Sequence, residues 1–264
     1  MNKLARTNLR LLIYCIVMPT IQFSLGLWTL LLICLFTKPL FSQNQKTKNP
    51  IREDIEWLDV WMPNTNEHDL PRVLLIGNSI TKGYYKEVEN LLAGKTYVAY
   101  LATSKSLCDP GLVNEIKLVM GYYLFDVVHF NNGLHGFGYT EAEYRDAFPI
   151  FIKTIKDYAP NAKLIWASTT PVFSGEDKTT FDNRTERVKK RNQIAIELLT
   201  EQKDIEVNDL FHLVESSPEY YAGTDGIHPN QSGYRAMAAQ VARIILDVLQ
   251  HKWSKQNKDK NSGF

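Results

Sequence analysis

Cysteine is scarce in this chain, which holds three in 264 residues. Cys15 and Cys34 lie in an apolar N-terminal region, so the rest of the chain keeps only Cys108. A single cysteine cannot form an internal disulfide. The length leaves room for one domain of ordinary size after the N-terminal region, and packing alone must stabilise it.

An excess of charge of either sign is also missing, because 30 Lys and Arg face 29 Asp and Glu. The formal net charge of +1 gives no electrostatic footprint for nucleic acid or for an anionic membrane surface. The sequence has no phosphate-loop glycine pattern, no dinucleotide fingerprint and no Cys/His pair at metal-ligand spacing. We therefore expect no cofactor, no metal and no nucleic-acid partner.

The first 42 residues differ in composition from the rest. Lys3, Arg6 and Arg10 precede a long apolar tract whose strongest block is 25–36. This order is typical of a cleaved export signal. An uncleaved anchor is the alternative, because residues 11–36 are long enough to cross a bilayer. We expect an exported protein, periplasmic or extracellular, that meets a membrane only through this segment if the segment stays attached.

The rest of the chain divides into three parts. Residues 43–70 form a linker and N-terminal extension, which begins with a Lys/Asn-rich stretch too polar to fold alone. Residues 71–250 form the folded domain, and 251–264 form a polar C-terminal tail.

Within the domain, apolar runs of strand length alternate with amphipathic stretches. The runs are continuously apolar, as expected of parallel strands covered on both faces. The predicted strands cover residues 72–76, 97–101, 125–130, 163–168 and 205–208. Helical patterns cover residues 85–92, 183–200 and 231–249. A further helix is predicted to begin at the capping box at Thr140, and Pro149 is expected to kink it or delay its start. This alternation predicts an α/β fold, a three-layer α/β/α sandwich around a central parallel sheet of about five strands.

Ser79 lies at the carboxyl end of the first predicted strand, where ligands bind in such sheets. It is followed by a helix, whose N-terminal N–H groups favour developing negative charge. A nucleophilic serine and a serine that merely caps the helix fit this position equally well. The pattern Gly-x-Ser lacks the second glycine of the α/β-hydrolase elbow, which argues against that fold.

Asp225 and His228 lie in a loop before the last predicted helix. An Asp three residues before a His can bind the imidazole Nδ1 and leave Nε2 free to deprotonate a serine. The alternative is that both are ordinary polar groups of a loop.

Asn131 and Asn132 end the strand 125–130 in an amide-rich turn. A side-chain amide here could donate a hydrogen bond to an oxyanion. Asn-Gly is also common turn chemistry, so this feature alone does not indicate a site.

Together and in this order, the three features resemble the SGNH/GDSL hydrolase family over about residues 71–249. Gly77-Asn78-Ser79-Ile80 is similar to its Gly-Asp-Ser-Leu block, the amide turn to its Gly-x-Asn-Asp block, and Asp225-x-x-His228 to its closing block. The resemblance implies a flavodoxin-like fold and a catalytic triad. Ser79 would attack the substrate carbonyl, His228 would act as general base and then general acid, and Asp225 would orient it.

The resemblance also implies an oxyanion hole made by the backbone N–H of Ser79, a backbone N–H of the second block and a side-chain amide of the third. The sequence departs from the family here. Asn78 replaces the usual Asp, and the glycines of the second and third blocks have no clear counterparts. We assign the backbone donor to Ser104 and the amide to Asn131, which is nearer the strand, with Asn132 as the alternative.

Other residues near these blocks are open to two interpretations. His135 either contacts substrate or is a structural histidine, and Asn78 is a second candidate for substrate binding. Trp57 and Trp61 either pack over the sheet edge, which we favour, or line a sugar-binding rim. A basic cluster on the helix 183–200 is predicted to be a solvated face. Its members are Arg184, Arg187, Lys189, Lys190 and Arg191.

The resemblance predicts a serine ester hydrolase whose partner is a small-molecule or carbohydrate ester, such as O-acetyl groups on carbohydrate. An acyltransferase with the same triad and a non-catalytic glycan-binding module are the alternatives. The position of the Ser79 Oγ relative to the His228 Nε2 discriminates an enzyme from a binding module.

Overall fold

The computed structural model describes residues 49–261, with side chains as far as residue 250. The predicted signal or anchor at 1–42, and most of the Lys/Asn-rich start of the linker, lie outside the described residues. Among the helices that are described, none has the length and the apolar content that a membrane span needs.

Strands and helices alternate along the described chain. The strands are β1 (Leu58–Trp61), β2 (Arg72–Gly77), β3 (Tyr97–Thr103), β4 (Val127–Phe130), β5 (Lys163–Ala167), β6 (Phe173–Ser174), β7 (Thr180–Phe181) and β8 (Ile205–Asn208). The helices are α1 (Ser79–Leu91), α2 (Pro110–Met120), α3 (Glu141–Tyr158), α4 (Arg184–Leu199), α5 (Leu210–Glu215) and α6 (Gln231–Asn261), with a 3₁₀ turn at Pro218–Tyr220.

The main sheet has six strands in the order β1-β3-β2-β4-β5-β8. Only β1 is antiparallel to its neighbour; the other pairs are parallel, which confirms the predicted α/β class. The prediction of about five strands missed β1, which lies in the segment assigned to the N-terminal extension. This edge strand has four residues and is at most half-buried, so it shows no apolar run.

Both faces of the sheet are covered, because successive residues of β2 point to opposite sides. Val73 and Leu75 pack on the face covered by α1 and α6, whereas Leu74 and Ile76 pack on the face covered by α2, α3 and α4. The result is the predicted three-layer sandwich.

Helix α1 begins at Ser79, earlier than the predicted start at 85, and α2 and α5 were not predicted. The capping box at Thr140 is confirmed, and α3 continues through Pro149 as far as Tyr158. Helix α6 continues to Asn261, beyond the predicted end at 249. No Gly or Pro lies between 234 and 262 to stop it.

The parallel register brings the carboxyl ends of three strands together. Gly77 of β2 pairs with Ala102 of β3, and Ile76 pairs with Phe130 of β4. Residues 79, 104 and 133 therefore lie at the same level beyond the sheet, which is the edge where such folds bind ligands.

Candidate active site

Ser79 is the first residue of α1 and follows β2 through a tight turn. Gly77 permits this turn, because a Cβ at that position would lie 2.0 Å from the Oγ1 of Thr81. The first N–H groups of a helix lack partners within the helix. The Ser79 side chain is therefore placed where a developing negative charge is stabilised.

Asn78 is the N-cap of this helix. Its Oδ1 accepts a hydrogen bond of 2.9 Å from the N–H of Ile80, and its side chain is buried. This position contradicts its assignment to substrate binding, because the side chain points into the helix end and away from solvent.

Ser79, His228 and Asp225 form one hydrogen-bonded chain. The Ser79 Oγ lies 2.8 Å from the His228 Nε2, and the His228 Nδ1 lies 2.7 Å from the Asp225 Oδ2. An ionised carboxylate only accepts, so the Nδ1 carries a proton and the neutral imidazole presents an acceptor to the serine. The arrangement can remove the hydroxyl proton of Ser79.

Asp225 is held in its ionised form. Partial burial works to raise the pKa of its carboxyl, but hydrogen bonds from the backbone N–H and the ring of His228, and from the N–H of Ile227, outweigh it. The pKa is therefore lowered from its ordinary value. The negative charge is available to stabilise an imidazolium at His228.

Gly226 shapes the loop between these two residues. Its φ is +83°, and a Cβ there would lie 2.1 Å from the carbonyl oxygen of Phe173. The N–H of Phe173 donates to the Gly226 carbonyl at 2.8 Å. The loop is thus tied to the β6–β7 hairpin by a contact that only glycine permits.

Ser104 lies at the same edge of the sheet as Ser79, as predicted, but its backbone N–H is not free to donate. Its N–H donates to the carbonyl of Trp57 at 3.1 Å, and its Oγ accepts from the Trp57 N–H at 2.9 Å. These bonds extend the pairing of β1 with β3. The structure therefore contradicts the assignment of Ser104 to the oxyanion hole.

The side-chain amides of Asn131 and Asn132 both donate hydrogen bonds to other parts of the protein. The Asn131 Nδ2 donates to the carbonyl of Ala167 and to the Thr169 Oγ1, which uses both of its protons. The Asn132 Nδ2 donates to the carbonyl of Lys105 at 2.8 Å, and its Oδ1 accepts from a backbone N–H at 3.0 Å. The preference for Asn131 as oxyanion donor is wrong for this geometry, since no amide proton is left. Asn132 ties the loops after β3 and β4 together, but its Nδ2 donates only one of its two protons among the described residues, so the alternative assignment of Asn132 as oxyanion donor stays a prediction.

Two residues of the basic cluster are not solvated. Arg191 is 1% exposed and Arg187 is partly buried, whereas the Lys189 side chain is 42% exposed. Both arginines donate to carbonyls of the loop after β4, between residues 133 and 139. The spacing of Arg191 from Val188 and Ala195 on one helix face is the signal that could have predicted its burial.

His135 lies in a small polar cluster beside this loop. Its Nδ1 is 2.9 Å from the Glu53 Oε1, and its ring contacts Trp57 edge-on. Trp57 is partly buried and packs on the core, as favoured, whereas Trp61 is 58% exposed on the edge strand. Sequence analysis missed Glu53, because it lies in a segment assigned to the extension.

No group of three or more His, Cys, Asp or Glu in the described part of the chain is arranged to hold a metal ion.

A comparison with known protein families matches part of this chain. Residues 120–241 match the model of the family described as GDSL-like Lipase/Acylhydrolase. This segment of the chain is similar to that family. The matched GDSL-like segment includes the amide turn, Asp225 and His228, while Ser79 lies before it. No curated protein sequence gives a significant match.

Solved structures share the fold of this chain at low sequence identity. A GDSL-like lipase from Bacteroides thetaiotaomicron is 16% identical with a TM-score of 0.54, over 67% of this chain and 88% of that one. A carbohydrate esterase family 3 protein from Talaromyces cellulolyticus is 14% identical with a TM-score of 0.55, over 69% and 99%. The catalytic domain of a peptidoglycan O-acetyltransferase from Streptococcus pneumoniae is 20% identical with a TM-score of 0.50, over 69% and 96%. At these identities the likeness shows a common fold.

Proposed function

We propose that the chain is a serine esterase that works through an acyl-enzyme intermediate. Ser79 is the nucleophile, His228 is the general base and Asp225 orients the imidazole. The observation that carries this proposal is the 2.8 Å contact between the Ser79 Oγ and the His228 Nε2, which a glycan-binding module does not require.

The reaction proceeds in two steps. The His228 Nε2 takes the hydroxyl proton as the Ser79 Oγ bonds to the ester carbon, and the carbonyl oxygen becomes an oxyanion near the N-terminus of α1. Collapse breaks the bond to the alcohol oxygen, which receives the proton from His228. Water then attacks the acyl-Ser79 ester, with His228 again taking and returning the proton, and a carboxylic acid leaves.

The proposed substrates are short-chain acyl esters, in particular O-acetyl groups on carbohydrate. The side chains of His228 and Asp225 are 43% and 52% exposed, so a bulky alcohol portion can reach this open edge. The carbohydrate esterase of the same fold supports this class as the first to test. His135 is proposed to contact the alcohol portion, since its Nε2 has no hydrogen-bond partner among the described residues. We also propose that the N-terminal segment directs export of the protein to the periplasm or the extracellular space, where polymeric substrates are found.

The experiment that tests the proposal traps the acyl-enzyme. The purified protein is mixed with p-nitrophenyl acetate or acetylated xylan, quenched in acid during turnover and digested for mass spectrometry. We expect an acetyl group on the peptide that contains Ser79, together with release of acetate. Protein denatured before mixing is the control and should carry no acetyl group there.

An added xylo-oligosaccharide separates hydrolysis from transfer. Free acetate as the main product supports the esterase. Acetyl groups on the oligosaccharide would instead indicate an acyltransferase with the same triad. A folded protein that binds acetylated xylan without acetate release, transfer or a Ser79 adduct would contradict the proposal and indicate a binding module.

A further inference from the structure

A second carboxylate–imidazole pair lies at the edge of the sheet that carries the triad. The His135 Nδ1 is 2.9 Å from the Glu53 Oε1, and the N–H of Gly136 donates to the same oxygen at 3.4 Å. An ionised carboxylate only accepts, so the Nδ1 carries a proton and the neutral imidazole presents an acceptor at Nε2. The pair repeats the arrangement of Asp225 and His228, but no hydroxyl group of the described residues is bonded to it.

The Nε2 of His135 is the free acceptor of this pair. No donor in the part of the chain that the structure describes is bonded to it. The side chain is 17% exposed, so a small group can reach the ring while most of the ring is out of solvent. Trp57 contacts the ring edge-on, with the ring centroids 6.4 Å apart, and limits its movement. A fixed acceptor without a donor is suited to bind a hydroxyl group of a ligand.

The strand order places this pair beside Ser79. Trp57 is bonded to Ser104, just beyond the end of β3, and His135 follows β4. Because β2 lies between β3 and β4, the contact between Trp57 and His135 spans the carboxyl end of β2. Trp57 also packs on the face of the sheet that is covered by α1, the helix that begins at Ser79. The pair therefore lies at the same end of the same strand, and on the same face, as the proposed nucleophile.

The segment that supplies Glu53 is anchored along its length to the loops after β3 and β4. Its contacts are hydrogen bonds from the Ile51 N–H to the Tyr139 Oη at 2.7 Å and from the Arg52 Nε to the Asp109 Oδ2 at 2.9 Å, an ion pair of Glu56 with Lys105, and the bonds of Trp57 to Ser104. Residues 51–57 therefore form a fixed wall beside Ser79, although they precede the segment that matches the family model.

We propose that Glu53 and His135 form a specificity pair for the alcohol portion of the ester, in which a second, free hydroxyl group of that portion donates a hydrogen bond to the His135 Nε2. His135 binds the substrate, and Glu53 is a positioning residue that keeps the imidazole proton on Nδ1. This inference rests on the proposed esterase function and narrows its substrates to esters of polyols, such as partly acetylated sugars. Esters of alcohols without a second hydroxyl group lack the donor.

Methylation of the substrate tests the direction of this hydrogen bond. A methyl ether keeps the oxygen lone pairs but has no proton to donate. A site that bonds a substrate hydroxyl group discriminates against an analogue that lacks it. For the wild type, we expect kcat/KM on a monoacetylated methyl xyloside to be at least about tenfold higher than on the same compound with its remaining hydroxyl groups methylated. This ratio is the hydroxyl preference.

The test measures both xylosides and p-nitrophenyl acetate with His135→Phe in the full chain. Phenylalanine keeps a flat ring against Trp57 but has no acceptor. We expect the hydroxyl preference to fall to about twofold or less, and kcat/KM on p-nitrophenyl acetate to stay within about twofold of the wild type. The bulk of the methyl groups cancels in this double comparison. His212→Phe is the control, because His212 is also bonded through Nδ1 to a glutamate but lies on α5, beyond β8 and three strands from β2.

Two substitutions of similar size test the role of Glu53, whose side chain is 43% exposed. Glu53→Gln keeps an acceptor for the Nδ1 proton of His135 and should keep the hydroxyl preference within about twofold. Glu53→Met removes the acceptor and should lower the preference at least about threefold, with kcat/KM on p-nitrophenyl acetate unchanged within about twofold. A role of Glu53 in packing alone would not change the preference for one hydroxyl group.

Three outcomes would overturn the inference while p-nitrophenyl acetate is still hydrolysed and the proposed function stands. These are a wild type without the hydroxyl preference, a full preference in His135→Phe, and an equal loss of kcat/KM on p-nitrophenyl acetate in that variant. Melting temperatures check that the variants fold, and Glu53→Met decides the outcome if His135→Phe does not. A folded wild type that hydrolyses no ester and forms no adduct at Ser79 would instead overturn the proposed function, and the inference with it.

Discussion

Replacing Ser79 with alanine is expected to lower kcat for p-nitrophenyl acetate by at least about 10⁴-fold, with little change in KM. The variant retains the helix cap at Asn78 and the His228–Asp225 pair, but it has no atom that can form the acyl-enzyme. Only transition-state stabilisation by the surrounding groups is left. Steady-state kinetics above the rate in buffer measures the loss.

Ser232 provides the matched control for this substitution. It also lies in the first turn of a helix, α6, but its hydroxyl has no histidine partner among the described residues. Ser232→Ala should keep kcat within about twofold of the wild type. If Ser79→Ala retained more than about a hundredth of the wild-type kcat while folded, another group would be the nucleophile.

The sequence predicted the parts of the fold that follow from local patterns. Continuous apolar runs identified five parallel strands, since strands covered on both faces show no alternation. The edge strand β1 was missed because Leu58–Trp61 is short and half-exposed. Its strand conformation depends on pairing with β3, which a local pattern does not contain.

The triad could be predicted from local sequence patterns, whereas the oxyanion donors could not. Asp225 and His228 are three residues apart, and a strand end placed Ser79 at the same edge. The partner of Ser104 is Trp57, which lies just before the missed strand. Arg191 was predicted to be solvated because its neighbours along α4 are charged. Its place on the buried face of the helix is what buries it.

His129 is the second residue for which a large effect is expected. It lies in β4 and is fully buried, with its Nε2 3.0 Å from the Asn208 Nδ2. The Asn208 Oδ1 accepts from Gln240 at 2.8 Å, so the Nδ2 must donate to the histidine. The imidazole is therefore a neutral acceptor at Nε2, and a proton there would face another donor.

This burial makes the folded state sensitive to acid. Desolvation lowers the pKa of His129 from 6.5 to about 3, although a backbone hydrogen bond opposes the shift. The unfolded chain therefore binds this proton more readily than the folded protein does. The stabilisation is complete above pH 6.5 and is lost as the pH falls toward 3. Between pH 6.5 and 4.5, the free energy of unfolding should fall by about 2 kcal/mol from this residue.

A His129→Gln variant tests this origin, because glutamine keeps an acceptor but does not titrate. We expect its loss of stability between pH 6.5 and 4.5, measured by urea unfolding, to be smaller than that of the wild type by about 2 kcal/mol. The comparison uses the difference between two pH values, so a constant packing cost cancels. His212→Gln is the control, since His212 is 80% exposed on α5, and it should keep the wild-type dependence. An unchanged dependence in His129→Gln would mean that the acid sensitivity arises elsewhere, whereas the expected result would show that the buried histidine in β4 contributes about 2 kcal/mol to it.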